Sequence, residues 1–333
     1  MGLAKTIARK ILFPTITSLG LEKIFSMIPK NKALVIMFHG VAPEIDPNLN
    51  GRHMQAKQFE TLLCYLKNTF NVVSFVDLME NKNNGQVFNK KTIAITFDDG
   101  FENNYNCAFP ILQKLSLPAT FFVLTGGLEN ESFVNWPDTF ELIHRYTSVP
   151  SIELNGITFD RKGKMFFSKD LQCKESDYFK GLGEERYDML EALKTAVEFE
   201  KILQKAPKST WKLMTKSQIR DMSKSGIIEI GSHTHMHHNL GLIQHELAYK
   251  EMERSKKLLE DIIEQPVHSI AFPDGSYTNS VKKQALACGY KYLAAVTSHE
   301  EDDRIDKTII TRLGLSNTTT PDSNIIQIHL AFN

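Results

Sequence analysis

Long apolar runs, paired cysteines and any excess of charge are missing from this 333-residue chain, and each absence removes a class of protein. The four cysteines, Cys64, Cys107, Cys173 and Cys288, lie far apart and form no CxxC pair, so neither a cysteine zinc site nor a disulfide framework is expected. Lys and Arg total 39 and Asp and Glu total 39, which leaves no net field. Without that field, and without a basic stripe interleaved with aromatics, nucleic acid is not an expected partner. No apolar stretch approaches the roughly 20 residues that span a bilayer. Between Ile11 and Leu21 the apolar run is broken by Pro14, Thr15, Thr17 and Ser18, and no small-residue cleavage site follows, which argues against a secretory signal. Internal repeats and low-complexity tracts are also lacking. A reducing cytoplasm is the expected compartment.

What is present is the composition of an ordinary globular protein, 42% hydrophobic and 23% charged. The length allows two domains or one decorated α/β barrel. Short apolar runs of strand length alternate with longer helical patterns, the mark of βα units around a parallel sheet. The candidate strands are Ala33–Phe38, Thr92–Phe97, Ala119–Leu124, Ile227–Ile230, Ser269–Phe272, Tyr292–Val296 and Ile325–Leu330. Helices are expected around Gln58–Asn68, Asn103–Leu115, Lys216–Ser225, Gln244–Ile263 and Asn279–Ala287. The polar stretch from Glu129 to Thr210 breaks the rhythm and reads as an insertion shaping or covering a cleft. Within it Ser151–Asp160 reads as a hairpin about Asn155-Gly156, and Glu184–Lys205 as a helical tail. Lys5, Arg9 and Lys10 among apolar residues suggest either a helix lying on a membrane surface or one packed under the barrel floor.

Chemistry concentrates at strand ends. Thr96-Phe97-Asp98-Asp99-Gly100 closes the second candidate strand with two adjacent carboxylates. Such a pair repels unless a cation or proton offsets one member, so it asks for a metal or a raised pKa; a solvated turn is the alternative. After Ile227–Ile230 comes Gly231-Ser232-His233-Thr234-His235-Met236-His237-His238, four histidines in six residues. Two neutral imidazoles with one carboxylate leave a coordination position of zinc open, as catalytic sites do. Both motifs follow strands at the C-terminal end, where β/α folds carry active sites. Ser269–Phe272 runs into Pro273-Asp274-Gly275-Ser276-Tyr277, either another wall of this mouth or an ordinary turn.

These residues resemble the polysaccharide deacetylases with a NodB-homology domain, carbohydrate esterase family 4. Thr96 to Gly100 matches the family's first motif, and His233-Thr234-His235-Met236-His237 its H-[ST]-x-x-H second motif. The resemblance runs from Ala33 to the C-terminus with the insertion set aside. It implies an irregular (β/α) barrel over residues 33–333, with a long insertion at about 129–210 after the third strand, behind an N-terminal helical segment of residues 1–32. It also implies Asp98 as general base and Asp99, His233 and His237 as ligands of a divalent metal, Zn2+ first, with Co2+ or Ni2+ as alternatives. The metal polarises the acyl carbonyl and activates water, Asp98 takes a proton, and a backbone N–H between Pro273 and Tyr277 helps hold the oxyanion.

Departures from the family pattern leave several roles open. The third motif's arginine is missing from Ala271-Phe272-Pro273, so Arg312 is either its substitute or a surface residue. The late Leu-x-His motif, source of a general acid, has only Ile328-His329 as counterpart, and a core histidine is the alternative. Ile36-Met37-Phe38-His39-Gly40-Val41 resembles members acting in exopolysaccharide assembly, so His39 is a site-lining or acid residue, or else structural. Trp136 either stacks on a sugar or anchors the insertion. The expected function is metal-dependent removal of N-acetyl groups from an amino-sugar polysaccharide, oligosaccharide or lipid-linked precursor, in the cytoplasm, with a peripheral place at the inner membrane as the alternative. O-acetyl ester hydrolysis and a catalytically impaired carbohydrate-binding scaffold remain alternatives. A zinc peptidase is excluded, because Tyr249 stands where His245-Glu246 would need a second histidine.

Overall fold

The computed structural model describes residues 12–27, 32–45, 51–315 and 320–333. Seven parallel strands close into a barrel, labelled in chain order β1 Ala33–Phe38, β2 Thr92–Phe97, β3 Ala119–Val123, β4 Ile228–Ser232, β5 Ser269–Ala271, β6 Tyr292–Ala295 and β7 Ile309–Gly314. Around the barrel the order is β1-β7-β6-β5-β4-β3-β2, and β1 pairs with β2 from Ala33↔Thr92 to Phe38↔Phe97. The three-residue strand Asn71–Val73 borders the first half of β2, while β3 pairs with its second half through Thr96↔Thr120 and Phe97↔Phe121.

Every residue of β1 and β2 is buried, because helices cover the outside and side chains fill the inside, so these strands read as continuous apolar runs. Period two divides them into two layers. Leu34, Ile36, Ile93, Ile95 and Phe97 pack outward against helices Ala56–Thr69 and His245–Ile263 through Phe59, Leu62, Met252 and Leu259. Val35, Ala94, Phe122, Ala271 and Ala294 form the inner layer with Phe75, Leu78 and Met79 of helix Phe75–Asn83. That helix crosses the floor, with Lys82 donating to the Ile309 carbonyl at the start of β7. Gly231 on β4 is required by this filling: a Cβ there would lie 2.5 Å from Phe122 Cδ1 and 2.8 Å from Ser269 Oγ.

One expected strand is a helix. Ile325–Leu330 belongs to helix Pro321–Ala331, which Thr320 caps by accepting from Ser323 N–H, with Pro321 in the first turn. Buried Ile325, Ile328 and His329 share one face at helical spacing, and a short apolar run could not distinguish this from a strand. The seventh strand is β7 instead, whose Thr311, Arg312 and Gly314 carry no apolar signature.

The insertion follows β3, as expected. It comprises helix Trp136–Tyr146, an antiparallel sheet of Ser151–Leu154, Ile157–Lys162, Met165–Ser168 and Cys173–Lys174, and helices Glu175–Lys180, Arg186–Ala196 and Phe199–Lys205. It has its own core, with Trp136, Phe140, Phe159, Phe166, Phe179 and Leu190 at its centre. Asn155 and Gly156 have φ of 54° and 72°, both positive as a type I′ hairpin turn demands. At the opposite end of the barrel, helix Phe13–Ser18 and turn Leu21–Ser26 lie against the C-terminal helix, with Thr17 donating to Asp322 at 2.5 Å. Lys5, Arg9 and Lys10 lie outside the described residues. Among the described residues no helix is long and apolar enough to cross a membrane.

Candidate metal and catalytic site

The C-terminal ends of the barrel strands bring the expected site residues together at one end of the barrel. One residue beyond β2, Asp98 continues the inward row of Ala94 and Thr96 and is only 3% exposed. Arg312, fully buried on β7, meets it as a fork: Nη1 donates to Oδ1 at 2.6 Å and Nη2 to Oδ2 at 2.7 Å. The guanidinium is 5.2 Å from the Phe122 ring centroid, so the inner layer supports it from below. Burial pushes the Asp98 carboxyl up, but the Arg312 charge and its hydrogen bonds prevail and hold it below its ordinary value. Asp98 is therefore a fixed anion at neutral pH.

Asp99 leaves the strand with φ of 69° and turns toward the mouth. His233 follows β4, and its Nδ1 is 2.8 Å from the Ala271 carbonyl, which places the proton on Nδ1 and directs the Nε2 lone pair outward. His237 Nε2 and His233 Nε2 are each 3.6 Å from Asp99 Oδ1. One ligand atom from each of these three buried residues lies within 4.8 Å of the others. A tetrahedral ion with bonds near 2.1 Å separates its ligands by about 3.4 Å, whereas 3.6 Å is too long for an N–H···O hydrogen bond. The trio thus fits a divalent cation better than a hydrogen-bonded network. Burial holds His237 well below its ordinary pKa, so its imidazole is neutral at pH 7, the form a metal requires.

Positive φ is rare outside glycine, and four of the nine described cases, Asp99, Thr234, His237 and Asp274, surround this site. Each costs about 1–3 kcal/mol and persists only where neighbouring structure holds it. Glu251 supplies part of that hold by accepting from the backbone N–H groups of His235 and Met236.

Three further residues, Arg52, Asp138 and Arg186, reach the site without a sequence signal, and Asp274 joins them from the turn noted above. Arg52 donates from Nη1 to Asp99 Oδ2 at 2.9 Å and from Nη2 to Asp138, in the first turn of helix Trp136–Tyr146. Arg186, buried in the insertion, donates to the His237 carbonyl at 3.4 Å and stands 3.8 Å from Asp274. Gly51-Arg52-His53 matches no motif, and Arg186 beside Glu184, Glu185 and Asp188 reads as a solvated helix face. Asp274 belongs to the Pro273–Tyr277 segment read above as another wall of this mouth or an ordinary turn, where its own carboxylate carries no separate signal.

The remaining candidates divide. His39, partly buried just past β1, stands near Asp98, Asp99 and His233; desolvation lowers it to about 4 against the pull of Asp99, so it is neutral at pH 7. His235 turns to Thr125 Oγ1, 3.0 Å away, and His238 packs on Tyr187. His329 is at the other end of the barrel, sharing the Tyr65 hydroxyl at 2.7 Å and packing on Phe70, because its helix lies beneath the strand starts. That position removes it from the reaction. Trp136 is buried in the insertion core against Phe179, so it anchors the insertion and offers no sugar platform. The Tyr277 hydroxyl is spent on Asp303, at 2.5 Å, and the Thr297 carbonyl. Pro273 is buried at the head of a turn whose Gly275 and Ser276 N–H groups bond the Phe272 and Pro273 carbonyls, so those two cannot hold an oxyanion.

The family described as "Polysaccharide deacetylase" matches residues 85–162 and 182–293. A poly-beta-1,6-N-acetyl-D-glucosamine N-deacetylase of Staphylococcus aureus strain MRSA252 is 23% identical over 267 residues, covering 76% of this chain and 66% of that protein. The protein of the same name from strain MSSA476 is 37% identical over 79 residues, 23% of this chain and 27% of that one. The chain thus spans less than two thirds of the length of these relatives. Among solved structures, the Streptococcus pyogenes deacetylase PplD in complex with acetate aligns with a TM-score of 0.59 at 19% identity, over 90% of this chain and 98% of that one. IcaB from Ammonifex degensii aligns with a TM-score of 0.56 at 15% identity, over 91% and 98%. At these identities the likeness is one of fold.

Proposed function

The chain belongs to the polysaccharide deacetylase family, and from that premise we propose that it is a metal-dependent hydrolase removing N-acetyl groups from an amino-sugar glycan. The observation that carries the proposal is the pairing of two structures at one mouth. Asp99, His233 and His237 converge as a candidate ligand set, and Asp98 stands beside them as a buried carboxylate clamped by Arg312. A ligand set alone would serve a structural ion; an adjacent anion held free of the ligand cluster serves proton transfer.

Asp99, His233 and His237 would hold the ion, which supplies Lewis acidity toward a carbonyl and a water. Asp98 accepts a proton from the water as its oxygen attacks the acetyl carbonyl carbon. The same carboxyl then returns the proton to the sugar nitrogen as the C–N bond breaks, releasing acetate and a free amine. Arg312 keeps Asp98 charged and fixes both of its oxygens, the work expected of the arginine missing before Pro273. His39 stands beside the site as a neutral imidazole able to hydrogen-bond substrate. The two Staphylococcus aureus relatives support the choice of an N-acetylated glucosamine polymer over an O-acetyl ester.

Acetate release from N-acetylglucosamine oligomers by zinc-reconstituted protein tests the reading. The wild type should turn over, Asp98→Asn should retain zinc but lose at least ~100-fold in kcat, and His233→Ala should lose both zinc and activity. Full activity in Asp98→Asn would remove the base from the scheme.

A further inference from the structure

Asp99 has two carboxylate oxygens, and the surroundings treat them differently. Oδ1 faces Nε2 of both His233 and His237 at 3.6 Å. Oδ2 faces away from the histidines and accepts from Arg52 Nη1 at 2.9 Å. The other arm of the Arg52 guanidinium is taken by Asp138, which is 2% exposed. Asp138 belongs to the first turn of the insertion helix Trp136–Tyr146, and the residue capping that helix, Asn135, reaches Oδ1 of the same Asp99 at 3.4 Å. Both oxygens of one carboxylate are thus touched, directly or through Arg52, by the start of the insertion.

We propose that Arg52, held by Asp138 from the insertion, is a positioning residue for Asp99: it occupies Oδ2 so that Oδ1 alone is presented to the ion shared with His233 and His237. This rests on the metal-site reading above. A carboxylate free at both oxygens can rotate about its Cβ–Cγ bond and offer either one or both as ligands, which blurs the site's geometry. A guanidinium can prevent that rotation because its planar fork reaches two separate carboxylates at once, whereas an ammonium is a point donor. The cost is a positive charge beside a cation site. Asp138 offsets that charge, which explains why a second acid is buried here at all. The insertion therefore contributes to the metal centre, and the positive φ of Asp99 is held from outside its own strand.

The test uses the full-length protein stripped of metal, with zinc affinity read by competition against a chromophoric chelator. Removing partners that orient a ligand typically lowers metal affinity 10–100-fold. Arg52→Gln and Asp138→Asn should each fall in that range and change the visible spectrum of the Co2+ form; each also leaves a buried partner unpaired, so their urea midpoints in chelator should fall and affinity is compared where both variants remain folded. Asp138→Glu, which keeps the carboxylate, should recover most of the affinity. His237→Ala serves as the control for the site itself. If wild type binds zinc and His237→Ala does not, but Arg52→Gln and Asp138→Asn bind within twofold of wild type or more tightly, the inference fails and the metal site stands. If wild type binds no zinc, the site reading fails and this inference with it. Should Arg52→Gln not fold, Asp138→Asn decides alone, since it replaces the carboxylate that holds Arg52 with no change of volume.

Discussion

Replacing Arg312 by methionine would strand the Asp98 carboxylate inside the barrel. The two side chains are 0% and 5% exposed and joined by bonds of 2.6 and 2.7 Å, so the pair is shielded from bulk solvent. Breaking such a buried pair by deleting one partner costs about 3–5 kcal/mol, most of it the penalty of an uncompensated charge. Unfolding entropy of roughly 2.1 cal/mol/K per residue over this length converts that to a fall in Tm of about 4–7 °C. The assay is thermal and urea unfolding at pH 7 in chelator, so that metal binding does not enter. The decisive comparison is the double variant Asp98→Asn/Arg312→Met, which removes both charges. If a stranded charge is the cause, the double variant is less destabilised than the sum of the singles by about 2–3 kcal/mol. Additivity within about 0.5 kcal/mol would refute the argument, because it would mean that Asp98 and Arg312 stabilise the barrel independently.

Gly231→Ala should cost about 1–3 kcal/mol, since its Cβ would sit 2.5 Å from Phe122 and the ring supporting Arg312 must shift; a urea-derived loss under about 0.5 kcal/mol would show the inner layer to be loosely filled. Asp303 accepts from Lys282 at 2.6 Å, the Tyr277 hydroxyl and two backbone N–H groups. Burial raises its pKa, but those hydrogen bonds and the Lys282 charge prevail and lower it from 3.8. A lowered folded-state pKa contributes stability that is present above 3.8 and lost as pH falls through the folded value. The stability gap between wild type and Asp303→Asn, followed by urea midpoint from pH 6 to pH 2, should therefore be widest near neutrality and narrow in acid; a gap independent of pH would contradict it.

Much of the fold was legible because its signals are local. Six of the seven barrel strands are apolar runs that stop at turn residues, and Asn155-Gly156 specifies its hairpin through backbone conformations few other pairs adopt. Asp98, Asp99, His233 and His237 were legible for a different reason, since each motif stands just past a strand and parallel strands in one barrel end at one mouth. Local pattern failed wherever a residue's meaning depends on what arrives from elsewhere. Strand β7 escaped notice because its buried member Arg312 is charged, and a charge is tolerable inside a barrel only when a partner such as Asp98 comes from a distant strand. The run Ile325–Leu330 suits helix or strand equally, and packing beneath the strand starts decided for helix, carrying His329 away from the site. Trp136 and Tyr277 have faces and hydroxyls that could meet a sugar, and the insertion core and Asp303 claimed them first. The sequence by itself determined the strand rhythm, the insertion and the two motifs standing at strand ends, because covalent spacing and backbone preference dictate them. Only the tertiary structure decided that Arg312 clamps Asp98 and that Arg52 joins Asp99 to Asp138, because a charge pair is defined by distance in space and the chain places no limit on its separation in sequence.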